Sequence, residues 1–204
     1  MRLVDAHAQL LAMGQPIFST VDASVCLGIS REYASKVLTR LSEAGHVVSL
    51  CRGIWGFKDR IQSLALAQHL TAPFPSYISL QSALYYHGMI SQIPSVTYAI
   101  SLARTRRFDT PLGIVSVHHV DPSFFFGFKS AGDQGAQLAV PEKALLDILY
   151  LSPAKTRLFR VLPELELSKS FKIPEARRMV RRIRSPRRRT LVNNLLEEII
   201  GKRF

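Results

Sequence analysis

The sequence predicts an α+β protein: an N-terminal winged helix-turn-helix followed by a mixed α/β C-terminal domain that ends in a basic helical tail. Three observations predict it. Phe18 to Phe57 reads as helix, tight turn, helix and hairpin, the element order of a known DNA-docking unit. From Ser79 to Leu151, short strand-like runs are interspersed with helical ones. The charge is uneven: residues 153–204 hold 15 Lys+Arg against 5 Asp+Glu, whereas residues 1–152 hold 12 against 10.

Residues 3–13 carry Leu3, Ala6, Leu10 and Met13 on one helical stripe, broken by Gly14-Gln15-Pro16. Ser19 and Thr20 can cap the next helix, about Val21 to Leu27, because their hydroxyl oxygens accept orphan backbone N–H groups. Gly28 stops it, Ile29 plugs the turn, and Ser30 can cap a helix over Arg31 to Ala44, which Gly45 ends. Its residues Ala34, Val37, Leu38 and Leu41 share one face. His46 to Cys51 and Ile54 to Phe57 are expected as the two strands of a wing, turning at Arg52-Gly53. Ile61 to Leu70 reads as a connecting helix, and Thr71-Ala72-Pro73-Phe74-Pro75 as the boundary. The expected units are therefore 1–60, a connection over 61–75, and 76–204 including the tail 153–204.

In the second unit, Ser79 to His87 reads as a helix capped by Ser79, and Thr97 to Leu102 and Ile114 to Val120 read as strands. Thr105 to Gly113 is expected to be a basic turn, Phe124 to Phe128 extended, and Gly132 to Gly135 a turn. Pro141 suits the first position of a helix that reaches Leu151 and is apolar nearly all round, hence buried. In the tail, Ile173, Ala176, Val180 and Ile183 mark one helix face, Ser185-Pro186 breaks it, and Thr190 is expected to cap a last helix with Leu191, Leu195, Leu196 and Ile199.

Composition narrows the function classes. No apolar run approaches the roughly 20 residues of a membrane helix, and the longest candidate, Ala144 to Leu151, contains Asp147. The early Asp5 and His7 make a poor secretory signal, so a cytoplasmic protein is expected. Cys26 and Cys51 lie outside any zinc or CxxC spacing and read as reduced thiols. The net charge of +12 points to a polyanion partner through counterion release, against the plainer reading of a solvated surface. Phosphate-loop, nucleophile-elbow, zinc-protease and dinucleotide motifs are absent from the sequence, so no catalytic residue, metal or cofactor is assigned.

The candidate site is a nucleic-acid interface. With the apolar face of the second hairpin helix inward, Glu32, Lys36, Thr39 and Arg40 point out and Tyr33 and Ser35 flank them. Recognition helices read bases mainly with their first turns. Lys36 can donate to guanine or phosphate, and Tyr33 and Ser35 can reach a base edge or phosphate. Arg40 suits the backbone, and Ser30 and Arg31 sit at the positive helix end, which suits a phosphate. Arg52 at the wing tip is a phosphate or minor-groove candidate, and Trp55 reads as core. In the tail, Arg181, Arg182, Arg187 and Arg188 are phosphate candidates, because guanidinium binds phosphate bidentately. Arg104, Arg106 and Arg107 meet phosphate or solvent. His118 and His119 fall on opposite faces of a strand and do not share a metal. Glu142, Lys143 and Asp147 share a short helix, where Lys143 and Asp147 pair at i, i+4.

Several segments together resemble one family. Phe18-Ser19-Thr20 leading into the helix-turn-helix, and Cys51-Arg52-Gly53-Ile54-Trp55-Gly56, look like the winged domain of AbiEi-type antitoxins. Tyr77 to Gly88 resembles the start of that family's second domain; Pro111-Leu112-Gly113, Val140 to Asp147 and Ser185-Pro186-Arg187 are similar too. The resemblance implies a bacterial type IV toxin–antitoxin role. The N-terminal module would repress its own operon by binding inverted repeats. The second domain would counteract a nucleotidyltransferase-like toxin without a stable complex. It identifies no catalytic residue. Two alternatives stand beside this reading: an enzyme acting on nucleic acid or on the toxin protein, targeted by the winged module and using Asp147 or Glu142, and an RNA-binding protein working through its basic tail.

Overall fold

The computed structural model describes residues 2–132, 134–152 and 165–201. The first part of the expected tail, 153–164, lies outside the described residues. The element order is α1 (Leu3–Ala12), β1 (Ile17–Ser19), α2 (Thr20–Leu27), α3 (Arg31–Glu43), β2 (Val48–Cys51) and β3 (Ile54–Gly56). There follow α4 (Leu66–Thr71), β4 (Ser76–Ile78), α5 (Leu80–Tyr86), β5 (Val96–Ser101), β6 (Arg106–Thr110), β7 (Gly113–His119), β8 (Phe128–Ser130), β9 (Gln137–Ala139), α6 (Pro141–Leu151), α7 (Ile173–Val180) and α8 (Pro186–Gly201).

The first six elements make a winged helix-turn-helix whose wing has three strands, in the order β1-β3-β2, where two were expected. The extra strand is Ile17-Phe18-Ser19, three residues that pair antiparallel with Ile54–Gly56. A run this short carries no periodicity of its own; β3 recruits it. Ala6, Leu10, Phe18, Ala23, Leu27, Val37, Leu38, Leu41, Val47, Trp55 and Phe57 form its core.

The second unit is built on a six-stranded mixed sheet, β6-β7-β5-β4-β9-β8. β7 runs parallel to β5, and β9 parallel to β4; the other neighbours are antiparallel. α6 packs against α5, α7 and α8. Ile17 and Leu50 of the wing join this larger core, so the wing sheet is seated on the second unit. Gln134 ties the junction: its amide donates to the Arg60 carbonyl (2.6 Å) and accepts from the Gln62 N–H (3.0 Å).

Five further expectations change. The connecting helix over 61–70 is a 3₁₀ turn, Ser63–Ala65, running into α4; a second 3₁₀ turn, Lys58–Arg60, precedes it. The basic turn over 105–113 is the edge strand β6 and its turn into β7, because Phe108 fills an inward position while Arg106, Arg107 and Asp109 face out. Phe124 closes a 3₁₀ turn, so only Phe128 of the aromatic run is in a strand. Thr190 lies inside α8, which begins at Pro186 and buries Val192, Leu196 and Ile200. Ser79 precedes α5 but does not cap it with its side chain. Its hydroxyl is drawn to Asp147 (2.7 Å), and the next residue, Leu80, takes a left-handed φ of 55° that bulky side chains rarely adopt.

Candidate nucleic-acid interface

Local chemistry fixes the helix-turn-helix. Ser19 and Asp22 form a reciprocal capping box on α2: the Asp22 N–H donates to Ser19 Oγ (3.1 Å) and the Ser19 N–H to Asp22 Oδ2 (2.8 Å). Gly28 ends α2 at φ 61°, ψ 36°, the left-handed turn that glycine enters without a Cβ clash. Ser30 caps α3 by accepting the Tyr33 N–H at 3.2 Å. Its hydroxyl therefore holds the helix start, which leaves the backbone end of the dipole for a phosphate.

α3 buries Ala34, Val37, Leu38 and Leu41 and leaves Arg31, Tyr33, Ser35, Lys36 and Arg40 exposed. The Lys36 and Arg40 side chains make no hydrogen bond or ion pair among the described residues, so both cations are available to an external anion. Tyr33 is 40% exposed. The Ser35 carbonyl accepts from Thr39 Oγ1 (3.0 Å). Glu32 shares the outer face; its own backbone N–H and the Ser30 hydroxyl hold its carboxyl below the usual range. An ionised Glu32 accepts hydrogen bonds and repels phosphate, which favours a base donor over the backbone at that position.

The wing is aimed by a contact that sequence reasoning missed. Gly53 turns the hairpin at φ 79°, and its carbonyl accepts the Thr20 N–H at 2.9 Å. The Trp55 indole N–H donates to Thr20 Oγ1 at 3.0 Å. Trp55 is core, as expected, yet its polar edge also ties the wing to the start of α2. Exposed Arg52 is thereby held next to the helix pair. The only prior signal was a Thr at the first position of α2, which reads as an ordinary cap.

The tail arginines divide. Arg182 lies over the Phe126 ring, 3.5 Å from its centroid. Arg188 lies over Tyr150 and donates from Nη1 to the Tyr150 carbonyl at 2.8 Å, at the C-terminal end of α6. Both dock the tail on the body. The Arg181 and Arg187 side chains are exposed, with no hydrogen bond or ion pair among the described residues. Two further tail arginines have acidic partners: Arg177 grips Glu197 with two bonds of 2.8 and 2.7 Å, and Arg178 pairs with Glu175 at 2.7 Å. α3 packs on the first core and α7 and α8 on the second, while the wing touches both.

The carboxylates an enzyme would use are enclosed: Glu142 is 4% and Asp147 0% exposed. Glu142 accepts the Lys172 N–H (2.6 Å), and Asp147 pairs with Lys143. Among the described residues no three metal-ligating side chains gather, and no helix is long and apolar enough to cross a membrane.

A three-stranded wing tied to a helix pair, with cations on the second helix that are unpaired among the described residues, defines a winged helix-turn-helix module. Residues 7–58 match the family described as transcriptional regulator, AbiEi antitoxin. The match runs from within α1 to just past the end of the wing. No curated protein matches the chain.

Proposed function

We propose that this protein is a sequence-specific DNA-binding autorepressor and the antitoxin of a bacterial toxin–antitoxin pair. In this reading the toxin is nucleotidyltransferase-like, the operator carries inverted repeats, and the protein acts in the cytoplasm without a stable toxin complex and without catalysis of its own. The observation that carries the reading is the regulator-family match over 7–58, which covers the helix whose outer face holds Lys36 and Arg40. Arg31, Tyr33, Ser35 and Lys36 are assigned to the groove and first phosphates, with the Ser30 turn at the helix start. Arg40 and Arg52 are assigned to flanking backbone and minor groove, and Arg181 and Arg187 to additional phosphates, whereas Arg182 and Arg188 are engaged with Phe126 and Tyr150. Footprinting on DNA upstream of the protein's own gene tests it. Protection of a repeated motif, weakened by salt, is expected. Equal binding to all fragments in low salt overturns it.

A further inference from the structure

Ser76 opens β4 and is 4% exposed, yet its hydroxyl has no hydrogen-bond partner among the described residues. Among the described residues the other buried hydroxyls are engaged. Thr20 holds Trp55, Thr71 reaches the Phe74 carbonyl, Ser79 reaches Asp147 and Ser101 reaches the Pro75 carbonyl. A buried hydroxyl without a partner is uncommon, and this one belongs to a residue at a cleft wall. Ser76 lines a cleft of about 310 Å³ that also takes in Phe74, Phe125, Phe128, Gln68 and Gln137.

The cleft combines flat apolar walls with unspent polar groups. Phe74 is 49% exposed. Phe125 and Phe128 are half-buried, meet edge to face at 5.2 Å and rest on Tyr77 beneath them. The Gln68 and Gln137 amides donate to the Gln134 and Gly135 carbonyls at 3.5 Å each, at the outer limit of a hydrogen bond. Both amides can therefore turn toward a better partner at little cost, and each offers donors and an acceptor.

We propose that this cleft binds a nucleobase, whose ring stacks on the phenylalanines while its polar edge meets the two glutamines and the Ser76 hydroxyl. A phenyl or indole ring would fill the same space but leave the hydroxyl and amides unpaired; a purine or pyrimidine presents donors and acceptors around its rim. The volume sits at the small end of ligand pockets, enough for a base with its sugar and phosphate outside. The net charge of +12 favours a phosphate-bearing ligand. The same chemistry comes from a free nucleotide or from an unpaired residue of a strand. No residue of the 7–58 module lines the cleft, so this inference does not depend on the operator-binding reading.

Calorimetric titration of the full chain with AMP, GMP, CMP and UMP, with ribose 5-phosphate, and with a short single-stranded oligonucleotide tests it. At least one nucleotide or the oligonucleotide is expected to bind about tenfold or more tightly than ribose 5-phosphate. Phe74→Ala, a change at an exposed position, is expected to weaken binding about fivefold or more through lost stacking. Gln137→Leu is expected to alter the preferred base. Binding confined to mononucleotides identifies a free nucleotide as the source, and tighter binding of the oligonucleotide identifies an unpaired strand; both uphold the proposal. Lys36→Ala is expected to bind nucleotides like wild type even if it loses operator binding. The proposal falls if no nucleotide or oligonucleotide binds, if ribose 5-phosphate binds equally well, if folded Phe74→Ala binds unchanged, or if Lys36→Ala abolishes nucleotide binding.

Discussion

Lys143 and Asp147 stand one turn apart on α6 as an ion pair sealed from solvent, each side chain 0% exposed. Asp147 also accepts from Tyr77 Oη (3.0 Å) and Ser79 Oγ (2.7 Å), and the Lys143 ammonium faces the Phe124 ring at 3.6 Å. Burial pushes the carboxyl up and the ammonium down, while their mutual attraction acts the other way. Removing one partner strands the other charge in the core. Asp147→Ala is therefore expected to lose about 3–5 kcal/mol, whereas the paired change Lys143→Met with Asp147→Leu loses much less. Urea unfolding of the three proteins checks this; an Asp147→Ala protein as stable as wild type refutes it.

The tail arginines are expected to separate into two kinds. Arg182→Ala and Arg188→Ala each remove a cation stacked on a ring, and Arg188→Ala also uncovers a helix-end carbonyl. Each should cost roughly 0.5–2 kcal/mol in thermal or urea unfolding. The Arg181 and Arg187 side chains make no hydrogen bond or ion pair among the described residues, so Arg181→Ala and Arg187→Ala should leave stability nearly unchanged. If they meet phosphate, each lowers the slope of log K against log salt by about 0.9. Unchanged slopes in the Arg181→Ala and Arg187→Ala proteins exclude those two from the interface.

The helix-turn-helix was legible because its signals are local. Ser19, Gly28 and Ser30 act within four residues of where they sit, and the Ala34–Leu41 stripe is a one-helix pattern. β1 and β6 were not legible, because each is a strand only by virtue of its neighbour: Ile17–Ser19 through β3, and Arg106–Thr110 through β7. The same holds for Ser79, which looks like a cap until Asp147, 68 residues away, competes for its hydroxyl. The outward face of α3 could be read from helical geometry alone. The split among the tail arginines could not, since Phe126 and Tyr150 lie far off in sequence.

Lys36 is the sharpest test of base reading. It stands on the exposed face of α3 near Tyr33 and Ser35, and its side chain makes no hydrogen bond or ion pair among the described residues. Lys36→Ala is expected to cost about 1–3 kcal/mol on the operator and much less on scrambled DNA. Competition gel shifts with both duplexes measure the difference. An equal loss on both reassigns Lys36 to the phosphate backbone.

Acid is expected to weaken the fold through buried imidazoles. Burial lowers the pKa of His69 on α4 and of His118 on β7 from the ordinary 6.5. His7 moves the same way, first by burial and then by the nearby His46 and Arg60. For such groups the unfolded chain binds more protons than the folded one between the lowered value and 6.5. The stabilisation they carry is thus complete above that window and declines as pH falls through it. Thermal unfolding followed from about pH 7.5 to about pH 5.5 should show a falling Tm. Replacing both rings, His69→Gln with His118→Gln, should make the decline shallower, because neither position then takes up a proton on unfolding. An equal or steeper decline in the double variant would assign the acid sensitivity to other groups.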